Sequence, residues 1–119
     1  MLIYVAGPYT DGDVALNVRK AIDAAESLAG LGYVPVIPHL SHFWHMIHAH
    51  DYEFWVDYGK KLLGICNALF LLPGYSLGAE NEIALAMERF LPIYLSIREV
   101  PCLGCGATTS HSFSCPRRQ

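Results

Sequence analysis

Four short apolar runs in this chain are each bounded by glycine or proline, and the stretches between them follow a different period. Residues 2–6 form the first run and end at Gly7-Pro8. The second, 33–37, closes at Pro38; the third, 68–72, at Pro73-Gly74; the fourth, 92–96, opens on Pro92. Between the first two, Val14, Val18, Ala21, Ala25 and Leu28 recur at steps of three and four, the stripe of an amphipathic helix. Asp11 or Asp13 can cap its start, and Gly30 or Gly32 can end it. Strands alternating with helices restrict a chain to a parallel sheet joined by right-handed crossovers. The expected order is β-α-β-α-β-α-β, an α/β flavodoxin-like three-layer sandwich with a four-stranded parallel sheet in order 2-1-3-4. Pro35 inside the second run assigns that strand to an edge, where a missing N–H is tolerated.

The two remaining helices follow from the same reading. Asp51 caps one, with Trp55, Tyr58, Leu62 and Ile65 expected on its buried face. Ser76 caps the other, which should run to about Phe90 and bury Ile83, Met87 and Phe90. Residues 38–50 carry many histidines and aromatics and no clear period.

At 119 residues and 53% hydrophobic composition, the chain is long enough for one domain with a real core and too apolar to be disordered over most of its length. The longest nearly apolar run, 62–73, is broken by Asn67 and is far short of the roughly twenty residues of a membrane span. The opening run has no basic flank and meets Gly7-Pro8 at once, so it does not read as a signal peptide, and a cytoplasmic location is expected. A formal charge of −3 argues against non-specific nucleic-acid binding.

In open α/β sheets ligands bind at the carboxyl ends of the strands, where three of these Gly/Pro-bounded loops converge. The segment after the third strand, Ser76-Leu-Gly-Ala-Glu-Asn-Glu82, opens a helix, and free N–H groups there favour anions. Ser76 and Gly78 can cradle a phosphate or a sugar hydroxyl. Glu80 and Glu82 are two apart, pointing about 200° apart on a helix, so only one can face such a site. Glu82 is expected to stay ionised in the field of the helix start and to be a competent nucleophile toward a sugar carbon. The plain alternative is that Ser76 is only a cap and both acids complement the dipole. Tyr4, mid-strand, is either a core aromatic or a phenol that orients a carboxylate.

The motif Tyr4-Val-Ala-Gly-Pro-Tyr9 resembles the opening of the nucleoside 2-deoxyribosyltransferase superfamily, which includes nucleotide N-glycosidases. Four further stretches, Pro38-His-Leu-Ser-His-Phe-Trp-His45, Tyr52-Glu-Phe-Trp55, Cys66-Asn-Ala-Leu-Phe-Leu-Leu-Pro-Gly74 and Ser76-Leu-Gly-Ala79 followed by Glu82, resemble a small bacterial and phage branch of it. The resemblance covers about residues 2–100. It implies that Glu82 attacks the anomeric carbon, that Tyr4 positions Glu82, and that Ser76 and Gly78 bind the 5′ side of the sugar. It also implies that Gly7 and Pro8 form the loop under the sugar and that His39 lies in a substrate-side loop. The implied partner is a small-molecule nucleoside or nucleotide; the implied assembly is a homodimer or higher homo-oligomer in which a neighbour's loop completes the pocket. No organic cofactor is implied. Two positions depart from the pattern. The family's aspartate that helps the leaving base is Gly59 here, with Asp57 two residues earlier, and the usual Cys-Asp-Ala-Leu is Cys66-Asn67-Ala68-Leu69. A catalytically impaired nucleotide-binding module is therefore the alternative to an enzyme.

Five of six histidines, His39, His42, His45, His48 and His50, lie within twelve residues. The spacing of the first four can place metal ligands on one helical face, but loop packing, base stacking by Phe43 and Trp44, or subunit contacts account for them as well. Protonation in mild acid would charge this segment together. Residues 101–119 read as a separate tail, flexible or folded about zinc. Cys102, Cys105, His111 and Cys115 have the spacing C-x2-C-x5-H-x3-C, one residue displaced from a zinc knuckle, a fold that binds single-stranded nucleic acid. Disulfides are not expected in a reducing compartment.

Overall fold

The computed structural model describes residues 1–74 and 76–104. Four parallel strands, β1 (Leu2–Ala6), β2 (Val34–Val36), β3 (Ala68–Leu71) and β4 (Ile93–Tyr94), form one sheet in the order β2-β1-β3-β4. Helices cover both faces, which is the three-layer flavodoxin-like arrangement expected. Helix α1 (Val14–Gly30) follows β1. A 3-10 turn at Pro38–Leu40, the short α2 (Ser41–Ile47) and α3 (Tyr52–Leu63) lie between β2 and β3, and α4 (Leu77–Glu88) joins β3 to β4. Among the described residues no helix is long and apolar enough to cross a membrane.

The helix starts are set by side-chain caps. Asp13 accepts from Leu16 N at 3.1 Å, Asp51 from Phe54 N at 2.8 Å and Ser76 from Ala79 N at 3.0 Å, each satisfying an N–H the helix itself leaves open. Helix α1 is followed by Gly32, whose φ of 102° suits the left-handed turn into β2. Pro35 stands opposite Ile3 on the outer strand, as its missing N–H requires.

Alternation along β1 divides the interior. Ile3 and Val5 point to the α1 side, where they join Ala21, Leu28, Tyr33, Phe70 and Leu72. Tyr4 and Ala6 point to the other side, with Leu63 of α3, Leu69 of β3 and Ala86 of α4. The chain leaves β1 toward β2, then returns across the sheet to β3. Right-handed crossovers in opposite directions put their helices on opposite faces.

The structure corrects several expected contacts. On α3 the buried residues are Gly59 and Leu63; Ile65 lies beyond the helix end and is 62% exposed. On α4 the buried residues are the small Ala79 and Ala86, two turns apart, which let the helix approach the sheet closely. Met87 is exposed, and Phe90 lies past the helix at φ 58° with its ring in solvent. Residues 41–47, aperiodic in sequence, form α2, which buries none of its side chains.

The seam expected at residue 100 is crossed by the core. Val100 and Cys102 are fully buried on the α1 side. Pro101 O accepts from the Tyr33 hydroxyl at 2.9 Å, and Leu103 N donates to Leu31 O at 2.9 Å. Cys102 therefore packs as a small hydrophobe, with its sulfur accepting from Gly104 N at 3.3 Å, and is not part of a separate tail. The other three residues of the supposed zinc set, Cys105, His111 and Cys115, lie outside the described residues.

Candidate functional site

The loops after β1 and β3 interdigitate at the carboxyl edge of the sheet. A side chain on Gly7 would come within 2.6 Å of Leu72 Cβ, and one on Gly74 within 2.9 Å of Pro8 Cγ. Gly74 also sits at φ 113°, so glycine answers both the close approach and the turn. This is the point where the chain switches direction across the sheet, the usual location of a ligand crevice in such folds. A cavity of about 590 Å³ opens there, walled by the β1 loop, the segment after β2, one face of α3 and the first turns of α4.

Tyr4 and Glu82 meet on its inner wall. Tyr4 is 1% exposed, rooted mid-strand in β1, and its hydroxyl donates a hydrogen bond to the Glu82 carboxyl. Burial and then the neighbouring carboxylate raise the phenol above its usual range, so Tyr4 stays protonated and acts as donor. Burial pushes the Glu82 carboxyl up to about 7, while the Tyr4 hydrogen bond pulls it down. This corrects the expectation that the helix field keeps Glu82 fully ionised. Glu82 is the sixth residue of α4, and the field of a helix start fades within the first turn, so desolvation wins. Glu80, in the first turn, points to solvent.

Gly59 of α3 faces this pair. A Cβ at Gly59 would stand 3.0 Å from the Tyr4 hydroxyl and 3.7 Å from Glu82 Oε2. Asn67, the other departure, has a structural role. Its Oδ1 accepts from Leu2 N and its own N–H donates to Leu2 O, both at 2.8 Å, so it ties the start of β1 to β3.

Of the residues singled out in the sequence, Tyr4, Gly7, His39, Ser76, Gly78 and Glu82 line the cavity together. Ser76 also caps α4, and its oxygen accepts from Ala79 N while the side chain borders the cavity. His39 is 4% exposed and donates from Nε2 to Pro8 O at 3.0 Å, which leaves Nδ1 as an acceptor without a hydrogen-bond partner among the described residues. Burial lowers its pKa, against a smaller opposing effect of the Pro8 and Gly7 carbonyls, so the ring is neutral at pH 7.

Two expected contacts are not made. Pro8 buttresses Gly74 and receives the His39 bond but does not border the cavity. Trp44 packs edge-on against Phe54, Trp55 and Tyr58, outside the cavity; the indole that does border it is Trp55. Sequence reasoning missed Trp55, together with His45, His50 and Tyr52 on the same wall. The available signal was spacing: Tyr52, Trp55, Val56 and Gly59 fall three and four apart, one face of α3. The histidines divide among separate partners, His39 to Pro8, His42 to the Tyr9 hydroxyl and His45 to Trp55. Among the described residues no group of three or more His, Cys, Asp or Glu is placed to hold a metal ion.

A family model for a domain of unknown function, DUF7768, matches residues 1–96, and the chain belongs to that family. No curated protein and no solved structure matches the chain.

Proposed function

We propose that this DUF7768 domain cleaves or transfers the N-glycosidic bond of a (deoxy)nucleoside or nucleotide, with Glu82 as nucleophile. The observation that carries the reading is the Tyr4–Glu82 hydrogen bond on the inner wall of a cavity at the strand switch point. A carboxylate held by the buried Tyr4 hydroxyl has a second oxygen for attack on the anomeric carbon. The sugar–base bond breaks, its electron pair leaves with the base, and a glycosyl ester of Glu82 forms. Water or a second base then takes the sugar and frees the carboxylate. The ionised form is the competent one, so base release rises with pH through about 7. Ser76 and Gly78, at the open start of α4, are the matching contacts for the 5′ hydroxyl or phosphate. The exposed Phe43, Met46 and Ile47 of α2, the helix whose Ser41 and His45 border the cavity, suit the interface of a homodimer or higher homo-oligomer.

A second reading, a nucleotide-binding module without turnover, is favoured by one feature: Gly59 offers no side chain where a proton donor for the leaving base would stand. Incubation with the deoxynucleosides and their 5′-monophosphates separates the two. Release of free base, lost by roughly a thousandfold in Glu82→Ala, supports the enzyme. Saturable binding with no base released supports the module. Neither binding nor release overturns both.

A further inference from the structure

The cavity wall contains a histidine, His45, whose ring proton has one permitted position. His45 Nδ1 accepts two hydrogen bonds, from Trp55 Nε1–H at 2.9 Å and from His50 N–H at 3.2 Å. Neither partner can act as an acceptor: an indole nitrogen and a backbone amide only donate. In the neutral ring Nδ1 must therefore be bare, and the proton lies on Nε2. Nε2 is on the far edge of the ring from those two bonds and has no hydrogen-bond partner among the described residues, and His45 borders the cavity. Trp55 is itself packed edge-on by Trp44, Phe54 and Tyr58, which fixes its indole plane and so the ring it holds.

We infer that His45 is a base-reading residue: its Nε2–H donates to a ring or carbonyl acceptor of the heteroaromatic base, and Trp55 is the positioning residue that holds it in that tautomer. The inference rests on the nucleoside reading above and assigns the end of the cavity that reading leaves open. The spacing fits. Trp55 precedes Gly59 by four residues of α3, about 6 Å of rise, and Gly59 adjoins both the Tyr4 hydroxyl and Glu82 Oε2. A sugar carbon at Glu82 thus leaves its base directed along α3 toward the Trp55–His45 pair. A donor to the base also stabilises the electron pair that the base carries away, a task for which Gly59 supplies no group.

Three measurements test this. In the intact protein, ¹⁵N shifts of the His45 ring report the tautomer directly; the expected result is a proton on Nε2, replaced by a tautomer mixture in Trp55→Phe. Calorimetric titration with the four 2′-deoxynucleosides and with 2-deoxyribose 5-phosphate, which has no base, separates the two ends of the cavity. His45→Leu and Trp55→Phe are expected to weaken nucleoside binding about tenfold and leave the sugar phosphate unchanged, while His45→Gln, which retains an N–H near the Nε2 position, recovers part of the loss. With wild-type protein alone, 3-deaza- or 7-deaza-2′-deoxyadenosine, each lacking one ring acceptor, should bind more weakly than 2′-deoxyadenosine if a purine is the base read. A proton found on Nδ1, or His45→Leu binding and cleaving nucleosides like wild type, or equal losses for nucleoside and sugar phosphate, overturns the inference alone. A wild-type protein that binds neither the nucleosides nor their 5′-monophosphates overturns the function reading and this inference with it.

Discussion

The two faces of the sheet are built from alternate residues of the same two strands, and they have opposite characters. On the α1 face Ile3, Val5, Phe70 and Leu72 close against Leu28, Val100 and Cys102 with an almost wholly apolar lining. On the α3–α4 face the same strands present Tyr4, Ala6 and Leu69, and a carboxylic acid, Glu82, comes to rest beside the tyrosine. One face gains stability from burial; the other gives up some of it by desolvating an acid. The lesson is that a strand in this fold separates scaffold from site by residue parity, so a change of one position along β1 moves from one task to the other.

The largest expected effect breaks the comparison from the scaffold side. Leu28 is fully buried against Ile3 and Val5, and Leu28→Ala should lower unfolding stability by about 2–5 kcal/mol in denaturant melts. Base release per folded molecule should not change. Next is Glu82→Gln on the other face. The carboxyl rises from 4.5 to about 7 on folding, so its contribution is fully present below 4.5 and is lost as pH rises through 7. Replacing it with a neutral isostere should stabilise the protein by roughly 2–3 kcal/mol at pH 8 and by little at pH 4, as read from Tm at the two pH values. Stability that does not depend on pH in this difference would mean Glu82 is solvated.

Smaller effects sharpen the picture. Tyr4→Phe keeps the ring in the core but removes the bond that draws the Glu82 carboxyl down. The midpoint of the pH–rate profile for base release should move above 7, with a loss of about tenfold at neutral pH. The smallest change in stability is expected for Gly59→Ala, where better helix propensity, worth about 1 kcal/mol, offsets a Cβ at 3.0 Å from the Tyr4 hydroxyl. Melting should shift little while base release falls several-fold, because the added methyl displaces the hydroxyl that holds Glu82. If melting and release fall together, the two faces are not separable at this position.

Much of the scaffold was legible because local chemistry and global fold agree. Asp13, Asp51 and Ser76 cap the helices they precede, and Pro35 marks an outer strand. Spacing also separated Glu82 from Glu80, since residues two apart on a helix cannot share a face. The aromatic wall was less legible. Trp44 and Trp55 are chemically alike, and only the course of α2, a helix with no buried face and hence no periodic signal, determines which of them reaches the cavity. The burial of Gly59 and the exposure of Met87 were hidden for a related reason. An apolar stripe names residues able to be buried, but small residues decide how closely a helix approaches, and here Gly59, Ala79 and Ala86 make the contacts. The shift of Glu82 was not visible either, because desolvation depends on walls contributed by Tyr4 and α3 from far along the chain.

The bond from Leu103 N to Leu31 O brings the chain to the residues just ahead of β2, at the amino edge of the sheet. The cavity opens at the carboxyl edge. For anyone building with this domain, that is a practical asymmetry. A partner protein, an affinity handle or a solid support joined at Gly104 in place of residues 105–119 would begin on the side facing away from the mouth, so immobilised copies would present their cavities outward to a flowing solution.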